Sequence, residues 1–305
     1  MRGLPLDAFA QREDSWFPAA LKRALPDLQA RFDALATVRS AHPASDGSER
    51  LLLALGDGQT IESVLLPGDG VCVSTQVGCA VGCMFCMTGR DGLTRQLRSA
   101  EIVAQVALAR ARRPIRRVVL MGMGEPAHNL DNVLEAIDLL GTEGDLATKN
   151  LVFSTVGDRR VFERLPRSAV RPALALSLHT TKADLRAQLL PRAPRIDPDE
   201  LVALADEYSQ FTKYPTQYQW TLLEGVNDGD DELENIARLL AGKYAVMNFI
   251  PYNEVPGSGF RRPTWERAAA MARYLHRRGV LTKLRRSAGQ DVEAGCGQLR
   301  ARALA

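Results

Sequence analysis

The sequence predicts an α/β protein: an open, partial TIM-like barrel with a small N-terminal accessory extension. Three observations predict it. After residue 86, short apolar runs alternate with segments of helical periodicity, and repeated strand–helix units imply parallel strands with right-handed crossovers. The strands number six or seven, short of the eight of a closed barrel. Residues 1–66 do not follow the alternation and form the expected extension, leaving 67–305 as the barrel with a C-terminal tail.

The chain has 305 residues and a mass of 33.4 kDa, enough for one large α/β domain and an extension. Apolar residues are 46% and charged residues 25% of the chain, which excludes a disordered protein, a fibrous repeat and a disulfide miniprotein. No apolar run approaches the ~18 residues of a membrane helix. The opening MRGLPLDAFAQRED has no apolar signal core. The expected location is the cytoplasm, where thiols stay reduced. The net charge of +3 does not by itself require a nucleic-acid partner. Only six of the 39 basic residues are lysines. An arginine-biased composition and phosphate contact account for that equally well.

In the extension, FPAALKRALPDLQARFDAL predicts a helix near 17–36 broken by Pro26, followed by strands ATVRS, LLLALG and IESVLL, with AHPASDGSER as a polar turn. Beyond the cysteine-rich loop, Ser99 is the expected N-cap of a helix with Glu101 in its first turn. Ile102, Val106 and Ala109 form its apolar face. RRVVLMGM (116–123) reads as a buried strand. Asn129 or Asp131 caps the next helix, Val133, Leu134, Ile137 and Leu140 give its buried stripe, and Gly141 ends it. Further strands are expected at 150–154, 173–178, 217–223, 244–250 and 280–286, with helices near 182–189, 198–209, 230–241 and 263–278. GMGEP (122–126), STVG (154–157) and SLH (177–179) end three successive strands, and PYN (251–253) ends another. Each alone is only a turn or a cap, but a barrel brings all four to the mouth where chemistry sits.

Five cysteines stand in the chain, four of them within fifteen residues: Cys72, Cys79, Cys83 and Cys86, with Cys296 alone near the C-terminus. An odd count argues against a disulfide framework. Cys79, Cys83 and Cys86 form C-x3-C-x2-C, and Phe85 precedes the last of them. Structural zinc usually takes four ligands, and no second cysteine pair is present. An iron–sulfur cube on three cysteines leaves one iron open for a ligand. The spacing is the signature of radical S-adenosylmethionine (SAM) enzymes. A three-cysteine zinc site with a distant fourth ligand, or chance, are the alternatives.

With these motifs assembled, the chain resembles the RlmN/Cfr family of radical SAM RNA (adenine-C) methyltransferases. The likeness runs from about residue 60 to 300 and includes IESV, VCVSTQVGCAVGCMFC, MGMGEP, STVG, LALSLH, NFIPYN and AGCGQL. The extra cysteines carry it: the family has one seven positions before the first cluster ligand and one near the C-terminus, here Cys72 and Cys296. Met87 departs from the small or hydroxyl residue common after the third ligand.

The resemblance implies a radical SAM barrel in which Cys79, Cys83 and Cys86 hold a [4Fe–4S] cluster. It implies that Cys296 becomes S-methylcysteine, and that a 5′-deoxyadenosyl radical from a second SAM activates that methyl group for addition to an adenine ring carbon. C2 is the expected position, with C8 the alternative. Cys72 then resolves the covalent RNA intermediate through a transient disulfide with Cys296, and Glu62 stands at the proton-acceptor position. By position, Gly124 and Glu125 would receive the SAM amino group, and Ser154, Ser177, Leu178, His179 and Asn253 would line its ribose and adenine. The implied partners are rRNA and/or tRNA and an electron donor such as flavodoxin or ferredoxin, with a monomer and no membrane. Basic pairs at 112/113, 116/117, 159/160, 261/262, 285/286 and 300/302 are candidate RNA contacts, though any single pair reads more readily as solvated helix face or terminus. A radical SAM enzyme with a non-RNA substrate and a zinc-stabilised RNA-binding module are the rival functions.

Overall fold

The computed structural model describes residues 18–302. The reading of the opening segment and the expected helix start at residue 17 lie outside them. Ten strands form one mixed sheet. Three belong to the N-terminal region: β1 (Ala36–Pro43), β2 (Glu49–Leu55) and β3 (Thr60–Leu65). They pair antiparallel in sequence order, and β3 pairs antiparallel with β4 (Gly70–Cys72). From β4 the sheet is parallel through β7 (Arg117–Leu120), β8 (Leu151–Thr155), β9 (Ala173–Ser177), β10 (Thr216–Leu222), β11 (Ala245–Pro251) and β12 (Thr282–Leu284). β1 and β12 are the two edges, so the sheet is an open, partial barrel. A small ribbon, β5 (Gln76–Gly78) with β6 (Leu93–Gln96), frames the cysteine-rich loop.

The barrel strands are apolar along their length because both faces are covered. Leu151, Val152 and Phe153 of β8 are fully buried, as are Tyr218 and Trp220 of β10. Crossover helices cover the outside: α2 (Ser99–Arg112), α3 (Leu130–Thr142), α4 (Arg159–Arg164), α5 (Ala183–Leu189), α6 (Pro198–Thr212), α7 (Asp230–Leu240) and α8 (Trp265–Arg277) follow α1 (Ala19–Asp33) in chain order. α7 inserts Leu233, Ile236 and Leu240 into the core; Asp230 and Asp231 of its acidic first turn are exposed while Glu232 is buried, and all three complement the helix dipole. No described helix is long and apolar enough to cross a membrane.

Three local expectations are corrected. Pro26 lies inside α1 and does not break it: the bonds from Lys22 N to Pro18 O and from Ala34 N to Ala30 O hold the turns on either side, so only one ladder donor is lost. Ser99 is the first helical residue of α2; the cap position is Arg98, whose N–H donates to Glu101 Oε2 at 2.8 Å. Gly141 is inside α3, and its role is close approach: a Cβ there would lie 2.7 Å from Val170 Cγ2. Asn129 does occupy the cap position of α3, but its amide donates to Thr75 O and Leu97 O instead of capping.

Candidate active site

The parallel strands bring their C-terminal ends to one mouth. Cys72 ends β4, the GMGEP loop follows β7, Ser154 lies in β8, Ser177–His179 close β9, and Asn253 follows β11. The antiparallel strands contribute as well. In the register of β2, β3 and β4, Arg50 faces Val64, which faces Cys72, and Glu62 lies two residues from Val64. Side-chain alternation therefore puts Arg50, Glu62 and Cys72 on one face of the sheet.

The cysteine loop is fixed by its backbone. Cys79 N donates to Gly92 O at 2.9 Å, Met84 N to Leu189 O at 3.0 Å, and Met87 N to Gly297 O at 2.7 Å. Cys79 is buried and Cys83 and Cys86 are half-buried. Burial pushes the Cys79 thiol up to about 12, with Glu125 and Cys86 adding to the rise. The Cys83 thiol is raised by burial and then by Cys86 and Cys79. The three thiols thus feel one another, and a positive charge or metal among them would reverse that repulsion. Among the described residues, no three His, Cys, Asp or Glu side chains converge on a point where one metal ion would be held.

Arg186 lies beside this loop and was not anticipated. It is 3% exposed, and its Nη2 donates to Val156 O and, at 3.2 Å, to Ser177 O, linking the ends of β8 and β9. Its Nε is buried without a partner. Burial lowers the guanidinium to about 10, while Cys83 and Glu125 pull the other way. A buried cation with a spare donor beside three thiols suits an anionic cluster or ligand, so the residues present fit a cluster on Cys79, Cys83 and Cys86.

The GMGEP loop is held by Gln76. Glu125 N donates to Gln76 Oε1 at 2.7 Å, and Gly124, at φ +104°, packs so close that a Cβ would fall 2.6 Å from Gln76 Cβ. The Glu125 carboxylate accepts from Ala127 N at 3.0 Å and from Val156 N at 2.9 Å. Burial nevertheless raises its pKa against those bonds. The hydroxyls of Ser154 and Ser177 have no hydrogen-bond partner among the described residues.

His179 is 6% exposed and sits at φ +63°. Its Nδ1 accepts the Thr221 N–H at 3.0 Å, which leaves the proton on Nε2. Burial, with Arg186 nearby, lowers its pKa to about 3, so the ring is neutral. Phe85 of the cysteine loop meets the ring edge-on, with centroids 4.8 Å apart. Leu178, which precedes His179 in the chain, is fully buried. Asn227 and Glu232 hold the surrounding turn: Asn227 Nδ2 donates to His179 O at 2.7 Å, and Glu232 accepts from Thr181 N at 2.9 Å.

The two remaining cysteines lie near enough that the charge of Cys296 acts on Cys72. Cys72 is buried, and its thiol is pushed up to about 12 by burial and by the charge of Cys296. Cys296 is exposed to solvent yet densely surrounded; that crowding raises its thiol, while Arg285 and a hydrogen bond with Ser287 pull it down. The tail that carries Cys296 is tightly held. Asn253 Nδ2 donates to Cys296 O at 3.0 Å and to Ser287 Oγ at 2.7 Å, and Thr88 Oγ1 donates to Leu299 O at 2.7 Å. The Asn253 amide thus faces the tail. Glu62, fully buried on β3, accepts Arg50 Nε at 2.7 Å and Arg300 N at 2.9 Å. In the sequence Arg50 is the last residue of the polar AHPASDGSER segment, directly before LLLALG; a charge on the core-facing period of β2 is the only local signal of its role.

Most candidate RNA-contacting arginines are already engaged. Arg112 pairs with Glu49, Arg159 with Glu200, Arg160 with Asp158, Arg261 with Glu224, Arg300 with Asp91 and Arg302 with Glu293. Arg113 donates to the carbonyls of Gly47 and Leu66, and Arg262 to Tyr252 O at 2.6 Å. Arg116, Arg117, Arg285 and Arg286 make no carboxylate ion pair among the described residues; Arg286 lies 5.1 Å from the Trp265 ring centroid.

An open parallel barrel with three thiols on the loop after its first strand is the arrangement of the radical SAM proteins, and residues 73–240 match the Radical SAM superfamily. A radical SAM methyltransferase from Sphaerobacter thermophilus is similar in structure, with a TM-score of 0.88 at 38% identity over 98% of this chain and 89% of its own. A probable RNA methyltransferase of Aromatoleum aromaticum is 72% identical over 99% of this chain and 85% of its own length. One of Methylibium petroleiphilum is 73% identical over the same shares. The chain belongs to the radical SAM superfamily and, within it, to the methyltransferase family that these relatives define. Members of the superfamily use a [4Fe–4S] cluster and SAM.

Proposed function

We propose that this protein is an RNA methyltransferase that adds a methyl group to a ring carbon of adenine, C2 being the position, in ribosomal and/or transfer RNA. The observation that carries the reading is that the Cys296 tail is bonded to the loop of Cys79, Cys83 and Cys86, Met87 N donating to Gly297 O at 2.7 Å, while Cys72 ends β4 within the electrostatic influence of Cys296. The names of the relatives support an RNA substrate.

Cys79, Cys83 and Cys86 would hold the cluster, which together with SAM supplies radical activation of an otherwise inert methyl carbon. Gly124 and Glu125 take the SAM amino group, whose positive charge suits a buried carboxylate. The free hydroxyls of Ser154 and Ser177 face the ribose, and the neutral His179 ring with Leu178 and Asn253 bounds the adenine. Cys296 carries the methyl group to the substrate. Electrophilic ring carbons resist methylation by simple displacement, and a sulfur-tethered carbon is held against the base instead. Cys72, as a thiolate, attacks the Cys296 sulfur; the sulfur–carbon bond breaks with its electron pair passing to the carbon, which takes up a proton to become the methyl group, and the Cys72–Cys296 disulfide left behind is reduced by an external dithiol before the next turnover. Glu62 takes the ring proton once Arg300 N–H has left its Oε2. Both reactive thiols are protonated at rest, so each gives up a proton before it acts.

We further propose that residues 67–305 form the radical SAM barrel with its catalytic-cysteine tail and 1–66 a small extension that contributes Glu62, that the protein works in the cytoplasm as a monomer, and that a flavodoxin- or ferredoxin-like donor reduces the cluster. The test is anaerobic reconstitution with iron and sulfide, then incubation with methyl-labelled SAM and RNA from cells lacking adenine C-methylation. Label in 2-methyladenosine supports the reading. Label in 8-methyladenosine moves the position, and no label in RNA overturns the substrate class.

A further inference from the structure

Arg50 and Glu62 form an ion pair at 2% and 0% side-chain exposure. Replacing such a buried pair by apolar residues is often neutral or stabilising, so its own attraction is no reason to find it in a core. What distinguishes it is how its remaining valences are filled. Besides Glu62, Arg50 donates from Nη1 to Val292 O at 3.2 Å and from Nη2 to Arg302 O at 2.5 Å. Glu62 Oε2 accepts the Arg300 N–H at 2.9 Å. Next to them, Thr60 Oγ1 donates to Ala301 O at 3.2 Å. The residues gripped, Val292 and Arg300–Arg302, bracket Cys296. Without the tail, a buried guanidinium would be left with two N–H groups unmatched and a buried carboxylate with one oxygen open, which is costly in a dry interior.

We propose that Arg50 is a positioning residue: with Glu62 it forms a buried clasp that grips both ends of the Cys296 segment and sets that cysteine at the barrel mouth. The clasp also ties the segment's position to Glu62, since a proton delivered to Oε2 weakens that oxygen as the acceptor of the Arg300 N–H. Its consequence for turnover rests on the function proposed above; its effect on the segment does not.

The test uses the full-length, cluster-loaded protein and hydrogen–deuterium exchange read by mass spectrometry. In Arg50→Met, amides of 290–302 are expected to exchange at least roughly tenfold faster, with β8 and β10 unchanged. Arg50→Lys, which keeps the charge but not the fork, restores part of the protection. In methylation assays Arg50→Met lowers kcat and leaves the KM for SAM within about twofold, since the SAM-binding residues lie on other strands. Unchanged exchange in 290–302, or acceleration spread evenly over the barrel, overturns the proposal. If Arg50→Met fails to fold, Glu62→Gln decides by the same exchange measurement: faster exchange in 290–302 upholds the clasp and unchanged exchange removes it. A loosened tail in variants of a protein that methylates no RNA would leave the clasp standing and the function reading refuted.

Discussion

The side-chain amide of Asn253 hydrogen-bonds the backbone carbonyl of Cys296, 43 residues away in sequence, at 3.0 Å. A loop at the end of a barrel strand therefore fixes the cysteine that stands alone in the sequence. Asn253 is 2% exposed, and its Oδ1 accepts from Gln290 Nε2 at 3.1 Å as well. Asn253→Leu removes these bonds and strands the Cys296 carbonyl. Unfolding in urea should show a loss of about 1–3 kcal/mol. A loss below ~0.5 kcal/mol would mean that the tail does not depend on this amide.

Cys72→Ala tests the resolving role. If Cys72 releases the product, the variant still forms the protein–RNA bond but cannot break it. A denaturing gel should then show a covalent adduct, and product release should fall by orders of magnitude, as for loss of a nucleophile. Normal turnover in Cys72→Ala would remove Cys72 from the mechanism.

His179 predicts a pH dependence of stability. Its folded pKa of about 3 lies below the ordinary value of 6.5, so between those limits the unfolded chain binds a proton that the folded protein does not. The stabilising contribution is therefore full above pH 6.5 and is lost progressively as the pH falls toward 3, at up to about 1.4 kcal/mol per pH unit. Urea midpoints measured from pH 7 to 5 should fall less steeply in His179→Gln than in the native sequence. Parallel slopes would show that the ring does not titrate as its burial demands.

Gly124→Ala places a methyl group 2.6 Å from Gln76 Cβ at a φ that L-residues rarely adopt. The GMGEP loop must shift, and the 2.7 Å bond from Glu125 N to Gln76 is lost. Equilibrium dialysis with labelled SAM should show affinity reduced by roughly tenfold or more, matching the 1–3 kcal/mol typical of a forced fit. Native affinity would take Gly124 out of the SAM site.

Arg285 lies close enough to Cys296 to influence its thiol, and neither it nor Arg286 has a carboxylate partner among the described residues. Arg285→Glu combined with Arg286→Glu should weaken RNA binding and flatten the plot of log affinity against log salt, by about one unit of slope per lost phosphate contact. Filter binding over a salt series measures both. An unchanged slope would place the RNA elsewhere.

The barrel was largely legible because its signals are local. Each of the six later strands contains apolar residues in a short run, four of them followed by a polar or glycine motif, and every expected range overlaps the observed strand, from 150–154 against Leu151–Thr155 to 280–286 against Thr282–Leu284. The cysteine spacing was equally local. What stayed hidden depends on partners far along the chain. Arg50 and Arg186 look like any surface arginine until the strands and the tail surround them. Pro26 and Gly141 carry strong local rules that tertiary neighbours override. The pairing of Glu62 with a backbone amide at Arg300 has no signature in either segment.

The grip on the Cys296 segment also has a kinetic meaning. Arg50 reaches partners 242 and 252 positions away, so the loop to be closed spans most of the described chain. Contacts of such separation reward folding only after the intervening strands have ordered. The Cys296 segment is thus among the last parts to be fixed, after the strands that lie between it and Arg50 are in place.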